Sequence, residues 1–226
     1  MNNTSPSFTK FVAILRSPWF LLLVIAFCTI SYFYIDKHLA ISVRYSISTH
    51  TFVIADKLAK FGKGNIYFIT LPLLFLLFKF IMKNPEYAKK CMFLITAIAI
   101  PSLLSIVIKI ILGRARPKLL FDDNLYGFNL FHMKAAYLSF PSGHSIFITA
   151  LMMGLAFLFT RYWVVFASIF LLISFSRVVV SAHYLSDVIG GMYISILVVS
   201  WLYDKFFLSP LQAVPSELPH QNNSGV

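Results

Sequence analysis

CMFLITAIAIPSLLSIVIKIIL, residues 91–112, decides the fold class. Only one of its residues, Lys109, is charged, and it stands near the end of the run. A helix needs about 20 consecutive apolar residues to cross the roughly 30 Å hydrocarbon layer of a bilayer. Pro101 falls mid-run; a kink there is tolerated in a bundle, where neighbours satisfy the freed carbonyl. Five further apolar runs lie around this one, at residues 19–35, 66–82, 145–160, 162–176 and 188–203. Several are short and are expected to extend by a turn.

Composition agrees. Of the 226 residues, 59% are hydrophobic and 12% charged, against roughly 25% charged in soluble domains. Lys and Arg number 19 against 8 Asp and Glu, a net charge of +11. DNA-binding domains gather such charge on a solvated face; here the basic residues punctuate apolar runs. A soluble globular domain, a disordered chain and a nucleic-acid binder are thereby excluded. Cys28 and Cys91 sit in or at apolar runs, where cysteine acts as a small hydrophobe, and they form no disulfide framework or metal-ligand spacing.

The expected fold is all-α: a polytopic membrane protein, a six-transmembrane-helix bundle in one domain over residues 1–208. The first run has no small-x-small cleavage site and exceeds the roughly 7–15 residues of a signal sequence, so it is expected to stay as a span. Residues 36–64 are mixed. Positions 39–47 alternate as a strand would, but a lone strand among membrane helices leaves its backbone unpaired. Ile54, Leu58 and Phe61 share one helix face. The segment therefore reads as an interfacial amphipathic helix, closed by a turn at Gly62-Lys63-Gly64. Residues 83–90 read as a short charged loop and 113–142 as a polar-aromatic loop. Residues 209–226, with Pro210, Pro215 and Pro219, read as a disordered tail.

Six crossings put both termini on one side. With three candidate site residues left out, eight basic residues fall on each side, so charge bias does not orient the chain.

Three clusters break the apolar pattern, all at run ends on the same side. Ionisable groups at such places are candidates for function. The first joins Lys109 to Arg116-Pro117, seven residues on, so both cations share a helix face; Lys109 either enters a pocket or snorkels to the headgroups. Arg114 and Lys118 are expected to be solvated or lipid-facing. The second is Phe140-Pro141-Ser142-Gly143-His144. Ser142 is a good N-cap and Gly143 lets a ligand approach the backbone. The first amides of the helix then make either an anion site or a plain capped start. The third runs from Arg177 through His183 to Asp187. His183 and Asp187, at i and i+4, meet if helical; the carboxylate then fixes the tautomer and leaves the other nitrogen as a base or nucleophile. Alternatively Ser186 caps the last span with Asp187 in its first turn, and Arg177 is an interfacial anchor.

Together these residues place three cations and free amides around space for a multiply charged anion, beside two imidazoles. Arg suits phosphate oxygens bidentately and Lys adds a point charge. No Cys/His or carboxylate set has metal-ligand spacing. Phosphoryl transfer without a metal is the chemistry implied.

The order K-x6-RP, PSGH and SR-x5-H-x3-D resembles the type-2 phosphatidic acid phosphatase (PAP2) superfamily, from Lys109 to Asp187, with every defining residue intact. The resemblance implies that His183 attacks phosphorus, oriented by Asp187, to form a phosphohistidine. It implies that His144 protonates the leaving oxygen, and that Lys109, Arg116 and Arg177, with Ser142 and the Gly143 amide, hold the phosphoryl oxygens. Water then cleaves the phosphoenzyme, with no cofactor. It further implies a bacterial inner-membrane protein with its site facing the periplasm or exterior and both termini cytoplasmic. The partners implied are a lipid phosphate substrate and membrane lipids. Undecaprenyl pyrophosphate, phosphatidylglycerol phosphate, phosphatidic acid and lipid A phosphate are all open as substrates. A phosphotransferase using the same intermediate is a close variant. A lipid-phosphate transporter or binding protein is the rival class, but it would show repeated halves and charges near the midplane. The aromatics of residues 119–138 either line the entrance or anchor the interface.

Overall fold

The computed structural model describes residues 5–61 and 65–208; the expected turn at 62–64 and tail at 209–226 lie outside them. The described residues are helical apart from loops and a single isolated bridge between Arg114 and Phe128. A short helix α1 (Pro6–Leu15) precedes the long α2 (Pro18–Ser46). Then come α3 (Thr49–Phe61), α4 (Asn65–Leu76), α5 (Pro85–Leu112) and the short α6 (Pro117–Asp123). The chain closes with α7 (Gly143–Leu158), α8 (Trp163–Val179) and α9 (Leu185–Leu208). Among the described residues, four helices are long and apolar enough to cross a membrane: Pro18–Ser46, Pro85–Leu112, Thr160–Val179 and Leu185–Leu208. Tyr67–Ile81 and Gly143–Leu158 are apolar but shorter.

Boundaries differ from expectation in three places: Pro117–Asp123, expected within a loop, is helix α6, opened by Pro117 in its first turn, and two further differences also have a local cause. The supposed charged loop before the third run is helix from Pro85 onward. Asn84 accepts from the Tyr87 amide at 3.2 Å, Pro85 occupies the first turn, and Glu86 pairs with Lys90 one turn on at 2.6 Å. These are standard start signals for a helix. Residues 36–46 are not a separate interfacial piece. They continue the first helix through a π-helical turn at Ser31–Ile35, and the chain breaks only at Ile47-Ser48.

In α3 the buried side chains are Ala55 and Ala59, while Ile54 is 46% exposed. Lipid is as apolar as leucine, so large side chains lose nothing by facing outward, and small ones let helices approach. The same logic leaves Leu103, Leu104, Ile106 and Val107 of α5 exposed. The core lies between α5, α7, α8 and α9, around Phe93, Ile148, Met153, Val188 and Val199.

Two ends of the bundle can be told apart. Arg16 pairs with Asp204 at 2.6 Å, Phe8 packs edge-on against Phe157, and the Tyr193 hydroxyl donates to the Leu15 carbonyl. The start of α1 and the ends of α7 and α9 therefore share one end. At the other end lie the C-terminus of α5, the N-termini of α7 and α9, the C-terminus of α8 and residue 36 of α2. Gly191 sets how closely α9 meets the start of α7: a Cβ there would stand 2.9 Å from the Ser142 carbonyl oxygen. Gly191→Val should lower stability by about 1–3 kcal/mol through overpacking, read as a fall in the thermal midpoint in detergent together with turnover; wild-type values for both would contradict this packing.

Candidate active site

The end opposite α1 is built around the connection between α5 and α7. Gly113 ends α5 in the left-handed region, at φ +56°. Only glycine fits there, because a Cβ would fall 1.6 Å from the Asn129 carbonyl oxygen. The loop is then stitched to itself by backbone bonds. The Ala115 amide donates to the Gly127 carbonyl, the Arg116 amide to Ala136, and the Ser139 amide to Arg114, at 2.9–3.0 Å. These bonds carry residues 138–142 across the end of α5.

Lys109 does not snorkel. It is buried, and its Nζ donates to the Leu138 carbonyl at 2.8 Å. Arg116 Nη2 reaches the same carbonyl at 3.4 Å. Gly143 lies beside Lys109, whose Cε would be 3.8 Å from a Cβ at that position. Ser142 caps α7, accepting from the Ser145 amide and hydroxyl at 3.4 and 3.0 Å. Its own amide donates to the Asp187 carbonyl at 2.9 Å, which joins the second cluster to the third. His144, half-buried, occupies the first turn of α7. Arg177 lies in the last turn of α8 and its carbonyl accepts from the His183 amide at 3.3 Å. Lys109 and Arg177 are both within electrostatic reach of Arg116, which repels them.

His183 and Asp187 are 3% and 0% exposed. Nδ1 of His183 stands 3.6 Å from Asp187 Oδ2, just outside hydrogen-bond range and well within ion-pair range. The Asp187 carboxylate also accepts from the Ser139 hydroxyl at 2.6 Å and the Tyr184 amide at 2.9 Å. The N-cap of α9 is therefore Tyr184, not Ser186. Asp187 caps the helix and faces the imidazole at once, so the two alternatives coexist. Burial, partly opposed by Asp187, pushes the His183 imidazole well below its ordinary range.

Arg114 departs most from expectation. It is not solvated but 1% exposed, and its two Nη atoms fork between carboxylates. Nη1 reaches Asp187 Oδ1 at 2.6 Å and Nη2 reaches Asp36 Oδ2 at 2.7 Å. Nη1 also donates to the Ser186 hydroxyl at 2.6 Å. The guanidinium lies 4.6 Å from the Tyr184 ring centroid and 5.1 Å from that of Tyr32, with Tyr126 and Phe128 also against it. Burial opposes its charge, but the Asp187 and Asp36 carboxylates outweigh this and hold it firmly protonated. Asp36 carries only one sequence signal, a lone carboxylate directly after an apolar run, and no motif includes it. Lys118 is exposed, as expected. Of the loop aromatics, Tyr126 and Phe128 buttress Arg114, whereas Phe131 is 74% exposed.

Among the described residues, Nε of Arg116 and Nε of Arg177 are buried without a hydrogen-bond partner. Buried guanidinium donors ordinarily find an acceptor. Crowded cations with donors to spare are suited to hold an oxyanion, and a neutral imidazole beside a fixed carboxylate is suited to attack it.

Comparison with known proteins follows the same residues. The sequence profile of the PAP2 superfamily matches residues 90–209, just over half of the chain. A lipid A 1-phosphatase of Rhizobium etli is 41% identical over 100 residues, covering 44% of this chain and 43% of that protein. A second, from Rhizobium johnstonii, is 39% identical over 100 residues, covering 44% and 41%. The chain thus spans about two fifths of the length of the curated relatives it matches. The first transmembrane PAP2-type phosphatidylglycerolphosphate phosphatase from Bacillus subtilis superposes with a TM-score of 0.63 at 18% identity, over 91% of this chain and 98% of that one. LpxE from Aquifex aeolicus gives a TM-score of 0.56 at 24% identity, over 75% and 94%. At these identities the likeness is one of fold.

Because burial disfavours the imidazolium, His183 should stay neutral as pH falls through 6.5, the usual imidazole value, and gain its proton only at lower pH. Titration of the unliganded protein by nitrogen NMR of labelled histidine tests this; protonation at or above the usual value would contradict it.

Proposed function

Since the chain belongs to the PAP2 superfamily, we propose that it is an integral-membrane phosphohydrolase that removes a phosphate from a lipid phosphate through a phosphohistidine. The observation that carries this reading is the crowding of Lys109, Arg116 and Arg177 beside the buried His183–Asp187 pair. The carboxylate that acts on Lys109 and Arg116, Asp187, is already held by Arg114, which leaves those two cations with charge for a ligand. Phosphoryl transfer depends chiefly on positioning and on stabilising charge on the phosphoryl oxygens.

In the proposed reaction Lys109, Arg116 and Arg177 bind those oxygens, aided by Ser142 and the Gly143 amide at the start of α7. Nε2 of neutral His183 attacks phosphorus, and the bond from phosphorus to the lipid oxygen breaks. Asp187 stabilises the positive charge that forms on the imidazole, through Nδ1. His144 delivers a proton to the departing lipid oxygen. Water then attacks the phosphohistidine, with His144 accepting its proton, and inorganic phosphate leaves. The proposed reaction uses no metal.

A membrane lipid fits better than a soluble ester. An apolar groove of about 380 Å³ between α3 and α8, lined by Ala55, Leu58, Leu172 and Phe175, runs along α8 as far as Val179. The identity to lipid A 1-phosphatases makes the phosphate of lipid A the first substrate to test. We further propose six crossings, with the site on the outer face of the bacterial inner membrane and both termini in the cytoplasm.

Phosphate release from a panel of purified lipid phosphates should be highest for one member and lost in His183→Ala, which should still insert and fold; full turnover in that variant would remove the nucleophile assignment. EDTA should leave the wild-type rate unchanged, and a strict requirement for an added divalent cation would contradict the proposed chemistry.

A further inference from the structure

The cluster around Arg114 holds more charge than a strut between helices requires. Asp187 is clamped from several directions. Arg114 takes Oδ1, while the Ser139 hydroxyl and Tyr184 amide take Oδ2, which faces His183. A carboxylate paired with a guanidinium alone would be electrically neutral and would attract an imidazolium only weakly. Asp36 supplies the second negative charge. It is itself fully engaged: Oδ1 accepts from the Ser31 hydroxyl at 2.7 Å and the Ser186 amide at 3.1 Å, and Oδ2 accepts from Arg114 and the Ser186 hydroxyl.

We propose that Asp36 and Arg114 are a positioning pair for the reaction, in which Arg114 aims the Asp187 carboxylate at His183 and Asp36 offsets the guanidinium, so that Asp187 keeps a full negative charge for the imidazole. The proposal rests on the reading of His183 as the nucleophile. It gives the first long helix, which lies outside the segment matched by the family profile, a part in the chemistry. The charges facing His183 are Asp187 from α9, Lys109 from α5 and Arg116 from the loop that follows. Those facing Arg114 are Asp36 and Asp187, with the phenols of Tyr32, Tyr126 and Tyr184. Cys28 of α2 stands 3.7 Å from the Ser186 carbonyl, within reach of the same charges.

Asp36→Asn removes the charge and keeps the shape. The Arg114 charge then falls wholly on Asp187, and His183 loses part of its counter-charge. Turnover should fall about tenfold or more, as for outer partners that orient a reacting group, with KM held within about threefold. The acid limb of kcat/KM should move to lower pH, because a weaker counter-charge makes the imidazolium less stable. The double variant Asp36→Leu, Arg114→Leu removes a net-neutral pair, so the site keeps its overall charge, and Asp187 retains its Ser139 and Tyr184 donors. It should still fold, read as a cooperative thermal transition in detergent, while turnover remains low, because no guanidinium then aims Asp187. Wild-type turnover and pH profile in Asp36→Asn would overturn the proposal, as would full activity in the double variant, which is what a mere strut predicts. If Asp36→Asn does not fold, the double variant decides. His183→Ala is assayed alongside: activity there would bring down the nucleophile and this proposal together, whereas its loss beside a normal Asp36→Asn would overturn the positioning role alone.

Discussion

A single guanidinium in the interior, gripped by two carboxylates from distant parts of the chain, joins the first long helix to the last. Arg114 with Asp36 and Asp187 is a buried ion triad, fully enclosed. Such a triad tolerates little change, because removing one partner strands the others, at a cost of about 3–5 kcal/mol. It fixes the loop after α5 against α2 and α9, and residues 138–142 are carried with it. Lys109, Arg116, Ser142 and the His183–Asp187 pair all attach to that segment or to its neighbours. The geometry of the site therefore depends on this one buried fork.

Bilayer physics explains why so much chemistry sits in so little sequence. Hydrophobic burial does not hold membrane helices together as it holds a soluble core, so packing and internal polar contacts must serve. Small residues set the close approaches, as Ala55 and Ala59 do in α3 and Gly191 does in α9. Charged side chains of the long helices gather toward their ends, and at one end Lys109, Arg116, Arg177, His183 and Asp187 come together. The apolar remainder suits a substrate that is itself a lipid.

The sequence made the helices legible because apolar runs of membrane length have few other uses, and the three motifs declared the six side chains that stand out by charge. Two features were not legible. Hydrophobic periodicity marks an inward face only when the outside is water; in lipid, Ile54 and Leu103 look like core residues and are exposed. Arg114 was misread because an arginine just past a membrane run ordinarily reaches for headgroups. Its burial depends on two partners, Asp36 and Asp187, that lie 78 and 73 positions away. No local pattern announces such a pairing. Ser186 misled in a similar way: it looks like a helix cap, yet its hydroxyl serves the Asp36–Arg114 network while Tyr184 holds the cap position.

In the proposed reaction Lys109, Arg116, Arg177 and His183 converge on one oxyanion. The most direct measurement is an experimental structure of the protein with orthovanadate, whose trigonal-bipyramidal geometry imitates a phosphoryl group in transfer. Vanadium should be bonded to Nε2 of His183, with its equatorial oxygens held by the two arginines and the lysine. Vanadate bound elsewhere, or attached to a different side chain with Arg116 and Arg177 turned away, would contradict it.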